Sequence, residues 1–295
     1  WFGTLLLAGG SVGLIYGMMK GSTNAKNFFN SQMITFVIIG LALFVIYGIY
    51  NRIRKNNTVL PLRFFKSKNF TAANIGIFLA GIASNGPMLL LPLFFQNTKG
   101  FTAVEAGLML IPQGLGMMVT RPLIGKMIDR MGARPVVLVS LAISLLGTIP
   151  FIFVHENTNL IWLGLVLFVR GMGIGGLQMP MMTDIFIGLD KQDIPGTSVG
   201  QRIIQNVGSS FGSAVISAVV TAVVTSEIAG QMTTKLHQLA AMHTNLTPTV
   251  IARAKTSVEK AVTLNGYQLG FLVSSIVLIV IAIPAMFLSQ KKVNK

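Results

Sequence analysis

The chain has no cysteine and little charge. None of its 295 residues is Cys, 8 are Asp or Glu, 3 are His, and only 11% are charged. The missing thiols exclude a disulfide framework and any cysteine-ligated metal or redox centre. A soluble domain carries about 25% charged residues because its surface must be solvated, so this chain lacks the surface chemistry of one. The three histidines, His155, His237 and His243, all fall in segments read as outer loops. His237 and His243 are spaced too far apart to share one face of a helix. No Ser-His-Asp order, metal-ligand cluster or phosphate-cradling loop stands out. Gly171-Met-Gly-Ile-Gly-Gly176 formally fits a dinucleotide fingerprint, but it lies within an apolar run and follows no strand, so the required context is missing. The sequence therefore points to no enzyme and no metal.

What is present is apolar length. Hydrophobic residues make up 52% of the chain, gathered into continuous runs. A helix needs about 20 mainly apolar residues to cross the roughly 30 Å hydrocarbon core. Eight segments qualify, near 2–20, 32–50, 70–95, 104–124, 135–154, 160–183, 200–226 and 266–289. The runs do not alternate, which argues against barrel strands, and only helices satisfy their own backbone in lipid. The fold class expected is all-α, an integral membrane helix bundle of eight transmembrane helices embedded in the lipid bilayer.

Charge then orients the bundle. Thirteen bases fall in the segments near 51–69, 125–134 and 184–199 and in the C-terminal tail, and Arg121 and Arg202 are read as helix-end residues on that same face. Lys20, Lys26 and Lys99 lie opposite, together with four bases of one long loop, which weigh little in the positive-inside rule. The basic face is therefore expected in the cytoplasm, with the C-terminus, in a cell (inner or plasma) membrane. This asymmetry accounts for the formal charge of +15. A nucleic-acid binder would need a solvated basic domain, and the sequence has none.

Organisation follows from the spacing. Residues 1–50 form a hairpin of two spans, 51–69 a basic linker, and 70–295 a six-helix domain. Glycines four apart, Gly9/Gly13/Gly17, Gly171/Gly175 and Gly208/Gly212, mark faces where helices approach closely. The glycines and Pro180 make the sixth span a candidate for a bend. Within the outer segment 227–265, Ile228, Met232, Leu236 and Leu239 share one helical face, and Val250, Ala254, Val258 and Ala261 another. Thr247-Pro248 reads as an N-cap with proline at the first helical position. Two short amphipathic helices lying on the outer surface are expected there. The chain opens at Trp1 inside an apolar run, with no initiating Met, and is expected to be a C-terminal piece of a longer protein.

The motifs now carry a resemblance. Gly125-x-x-x-Asp129-Arg130-x-Gly132-x-Arg134 resembles the signature loop of the major facilitator superfamily, and it falls between the second and third of the last six spans. Pro112-Gln-Gly-Leu-Gly, Leu91-Pro-Leu-Phe-Phe-Gln96, Arg170-Gly-Met-Gly-Ile-Gly and Val207-Gly-Ser-Ser-Phe-Gly-Ser-Ala214 are similar to the fourteen-span drug:proton antiporters of that superfamily. The resemblance covers essentially the whole chain. It implies helices seven to fourteen of such a transporter: a central pair, then the C-terminal domain. One departure stands out, since Gln205 occupies a place where such proteins often carry Arg. The resemblance implies proton-driven export of drugs or amphipathic compounds, cations among them, by alternating access. It implies protons and a small molecule as partners and no cofactor beyond the proton gradient. It also implies a partnership with an N-terminal half that holds the main proton carrier. Transport of one defined metabolite, or a non-transporting scaffold, are the alternatives.

Residues can be assigned on that basis. Gly125, Asp129, Arg130, Gly132 and Arg134 are the candidate conformational latch. Gly125 would let two helix ends approach, Asp129 would cap the next helix, where the dipole favours an anion, and Gly132 would allow a tight turn. Ionisable groups inside a membrane are functional candidates, and Arg170 is read as the one near mid-span. Glu105 and Asp184, at helix ends, are secondary candidates for proton coupling. By depth, Asn85, Met88, Gln113, Met117, Arg170 and Gln178 are the candidate substrate contacts.

Overall fold

The computed structural model describes residues 2–22, 30–54, 62–241 and 247–290. Lys26, Lys55, Pro61, His243 and the C-terminal bases Lys291, Lys292 and Lys295 lie outside the described residues. The described part is helical: α1 (Phe2–Ser22), α2 (Ser31–Ile53), α3 (Lys68–Asn97), α4 (Ala103–Leu108), α5 (Ile111–Met131), α6 (Ala133–Thr148), α7 (Leu160–Gly175), α8 (Gln178–Ile185), α9 (Ile194–Ala241) and α10 (Pro248–Ala285). The pairs α4/α5 and α7/α8 are single broken spans, so the described residues hold 8 segments long and apolar enough to cross a membrane. This is an all-α, multi-pass membrane helix bundle.

Small residues decide how closely the helices approach. A Cβ added to Gly13 would sit 3.0 Å from the Gly40 Cα, and one on Gly17 3.0 Å from the Val37 nitrogen, so α1 and α2 pack backbone to backbone. Gly208 and Gly212 of α9 face the backbone of Phe78 and Ile82 in α3 in the same way. Between α6 and α7, Gly147 lies against the Arg170 backbone, Gly173 against Ser144 and Gly176 against Ser140. Without a hydrophobic force between helices in lipid, such contacts supply dispersion that larger residues would block. The sixth span breaks at Gly176–Leu177 rather than at Pro180, which instead sits in the first turn of α8, where its missing N–H costs nothing.

Two ends are tied by polar contacts. At one, Asn97 donates to the Tyr267 hydroxyl (2.7 Å), Gln268 donates to the Val154 carbonyl (2.8 Å), and the Lys99 ammonium reaches the carbonyls of Glu156 and Thr158. Partial burial lowers the Lys99 pKa from its usual value, and the charge of Glu156 partly offsets this. At the other end Arg63 pairs with Asp193 (3.0 Å), joining the turn before α3 to the start of α9.

The outer segment differs from expectation. It holds no separate surface helices: residues 227–241 continue α9, which runs for 48 residues, and 248–265 continue into α10. At 1.5 Å per residue α9 is about 72 Å long, more than twice the hydrocarbon thickness. No helix breaker interrupts either run, and α9 and α10 pack side by side, Gly266 against Val220. Ala254, Val258 and Val262 are buried along α10, whereas the expected Ala261 is exposed. Thr247 caps α10 as read, accepting from the Val250 N–H (3.4 Å). The side chain of Leu239 lies outside the described residues.

Candidate functional site

α5 and α7/α8 meet along one stripe. Gln113, Met117 and Arg121 are spaced four apart and so share a face of α5. Gln113 is buried, and its Oε1 accepts a hydrogen bond from Arg170 Nη1 at 3.0 Å. A Cβ on Gly175 would lie 3.1 Å from the Met117 Cα, which fixes the next contact of the stripe. Arg170 itself is fully buried, and its Nε and Nη2 have no hydrogen-bond partner among the described residues. Taking a cation out of water costs several kcal/mol unless it is paired. One amide oxygen is a small return for that cost.

One turn further along, the stripe opens into a cleft of about 480 Å³. Ser84, Asn85 and Met88 of α3, Met117 and Arg121 of α5, Ile174 and Gly175 of α7, Gln178, Met179 and Met182 of α8, and Gln205 of α9 line it. Four of the six sequence candidates, Asn85, Met88, Met117 and Gln178, meet here. The other two, Gln113 and Arg170, bond to each other beside the cleft rather than lining it. Amides dominate the polar wall. Gln205 donates to Gln178 Oε1 at 2.9 Å, Gln201 donates to Gln205 at 3.4 Å, and Asn85 donates to Ser209 Oγ at 2.8 Å. Such groups donate and accept without carrying charge, and methionines supply an adaptable apolar surface.

Sequence reasoning misplaced Arg121. An end of span four near 124 makes it a helix-end residue. The helix runs on to Met131, so Arg121 lies about 15 Å from that end. Counting back from Gly132, where the chain must turn, would have found it.

The signature stretch is not a loop either. Gly125, Asp129 and Arg130 belong to the last turns of α5, and only Gly132 separates α5 from α6. A Cβ on Gly125 would meet nothing within 4 Å, so this glycine permits no close approach here. Asp129 is exposed and makes no hydrogen bond or ion pair with a described residue, so it does not cap α6. The helix turns too abruptly for that: Gly132 adopts φ +84° and ψ 176°, a conformation open essentially to glycine alone. It also lies under the C-terminal strap, since an added Cβ would be 3.0 Å from the Ser289 carbonyl. The Arg134 N–H donates to that carbonyl at 3.1 Å. Ser289 in turn donates from its N–H (3.1 Å) and its hydroxyl to the buried carboxylate of Asp184. Asp184 therefore knots the ends of α8 and α10 to the α5–α6 turn, a role the sequence did not reveal. Glu105 forms a capping box with Thr102 at the start of α4, which is a local structural task.

The sequence has relatives among known proteins. Residues 2–213 match the family described as Major Facilitator Superfamily. The chain belongs to the major facilitator superfamily. It is a multi-pass membrane chain of a transporter superfamily. A "Multidrug resistance protein B homolog" of Mycobacterium tuberculosis (strain H37Rv) is 27% identical over 183 residues, 61% of this chain and 34% of that protein. An "Uncharacterized MFS-type transporter YcnB" of Bacillus subtilis (strain 168) is 26% identical over 198 residues, 67% and 41% respectively. The "Probable transport protein HsrA" of Haemophilus influenzae is 28% identical over 208 residues, 70% and 44%. The chain thus matches about a third to under half the length of these relatives.

Proposed function

We propose that this chain is the C-terminal portion of a proton-coupled exporter of drugs or other amphipathic compounds, working by alternating access in the cell membrane. The cleft carries the reading. Its wall joins methionines to neutral amides, and five helices contribute to it. A mixed lining of that kind suits amphipathic solutes of varied shape. Names of relatives such as "Multidrug resistance protein B homolog" favour the same substrate class. Residues 1–50 act as a central hairpin, 51–69 as a cytoplasmic linker, and 70–295 as the C-terminal transport domain, whose tail is cytoplasmic. An N-terminal half supplies the other wall and the main proton carrier. The energy source is the proton gradient, and no cofactor takes part.

Gly125, Asp129, Arg130, Gly132 and Arg134 form the latch of the cycle. Asp129 and Arg130 sit exposed at the end of α5 and engage partners in another state, while Gly132 and Arg134 bear on the Asp184–Ser289 knot. Substrate meets Asn85, Met88, Met117 and Gln178, and Arg170 with Gln113 supplies the fixed charge beside them. The test uses the complete gene product in energised inverted vesicles, with accumulation of a fluorescent amphipathic dye as readout. Accumulation that stops when the proton gradient is collapsed supports the reading. Accumulation that persists removes proton coupling, and none for any amphipathic probe removes drug export.

A further inference from the structure

The cleft has one charged group in its lining, and it is a cation. Arg121 lines the cleft together with Gln178 and Gln205, about 15 Å before α5 ends at Met131. It makes no hydrogen bond, ion pair or ring contact with a described residue. No Asp or Glu lines the cleft among the described residues. Behind the wall, Arg170 adds a second positive charge whose Nε and Nη2 are also without partners among the described residues. A lone guanidinium within the membrane span is costly and calls for an anion. Its planar fork matches a carboxylate bidentately.

We propose that Arg121 is the anion-recognition residue of this cleft, and that the substrate class is an amphipathic organic acid: one carboxylate against Arg121, its apolar body against Met88, Met117, Met179 and Met182. This rests on the exporter reading and narrows it. Gln178 and Gln205 turn amide N–H groups and carbonyls to the same wall, so they accommodate the polar neighbours of the carboxylate. A cleft of about 480 Å³ falls in the range that holds drug-sized ligands. An amphipathic cation placed there would face two like charges with no acid of this wall to offset them.

The experiment measures equilibrium binding to the purified complete gene product, using a fluorescent fatty-chain carboxylate and its neutral methyl ester. Efflux of both from vesicles is measured alongside. The expected result is a carboxylate preference of at least about tenfold, the worth of one charge-assisted pair. Arg121→Gln erases that ratio, and Arg121→Lys restores most of it. Equal binding of acid and ester by the unaltered protein overturns the proposal, as does a preference that survives Arg121→Gln. Parallel loss of both ligands in Arg121→Gln and Arg121→Lys also overturns it, because Arg121 would then be a structural partner of an acid elsewhere in the protein. If the binding ratio behaves as expected but neither probe is exported, recognition stands and the exporter reading fails.

Discussion

Two regions share helix α7 and obey opposite rules. On its α6 side, Gly147, Gly173 and Gly176 bring backbones into contact and leave no room for a methyl group. On its α5 and α8 side, the same span borders a cleft of about 480 Å³ walled by amides, methionines and an arginine. The contrast shows how one broken helix serves as both keel and cleft wall. Close packing fixes the position of Arg170, whose own backbone lies under Gly147, and that fixed backbone holds the polar stripe in place. The break at Gly176–Leu177 then turns Gln178 toward the cleft.

The comparison breaks first at the packed side. Gly147→Leu or Gly173→Leu should destabilise by about 3 kcal/mol or more, because the contact is with backbone and cannot repack. Thermal unfolding of the detergent-purified protein reads this, and an unchanged midpoint would deny the keel. Next comes Arg170→Met. Replacing a buried, underpaired charge by an apolar residue of similar size costs little stability or even raises it. Transport should nevertheless fall about tenfold to a hundredfold, the scale of a lost charge-assisted interaction. A large drop in unfolding temperature with normal transport per folded molecule would make Arg170 an anchor instead.

Two glycines of the signature stretch sharpen the contrast further. Gly132→Ala places a Cβ at positive φ and against the Ser289 carbonyl, and should cost about 1–3 kcal/mol. Gly125→Ala meets open space in a helix and should be neutral or stabilise by up to about 1 kcal/mol. Equal effects at the two sites would contradict the geometry. The smallest expected change is at the cleft wall. Gln205→Leu removes the amide contacts with Gln178 and Gln201 and should shift substrate affinity by about 1 kcal/mol, or fivefold, with a smaller effect on unfolding than either glycine substitution in the keel.

Much of the fold was legible because lipid simplifies the problem. A helix in hydrocarbon must be long, apolar and internally bonded, so runs such as 32–50 and 135–154 declared themselves. Glycines four apart announced close faces, and Gly13 and Gly208 do make them. The site was legible only in part. Asn85, Met88, Met117 and Gln178 could be chosen by depth, since depth follows from position along a span. That Gln113 and Arg170 would turn to each other beside the cleft could not be read, because rotation about a helix axis is set by packing. Arg121 lies inside its helix for a related reason: the charged residues of 126–131 prolong α5 instead of forming a loop.

The sequence by itself determined the class of the protein, its eight spans and the family signature, because apolar length and charge placement are one-dimensional quantities. The tertiary structure alone decided which residues face one another. It joined Asp184 to Ser289 across 105 positions and Arg170 to Gln113 across 57. It also left Arg121 without a partner among the described residues, in an open cleft. Those outcomes depend on how small residues let helices approach and turn, and that geometry exists only once the bundle is assembled.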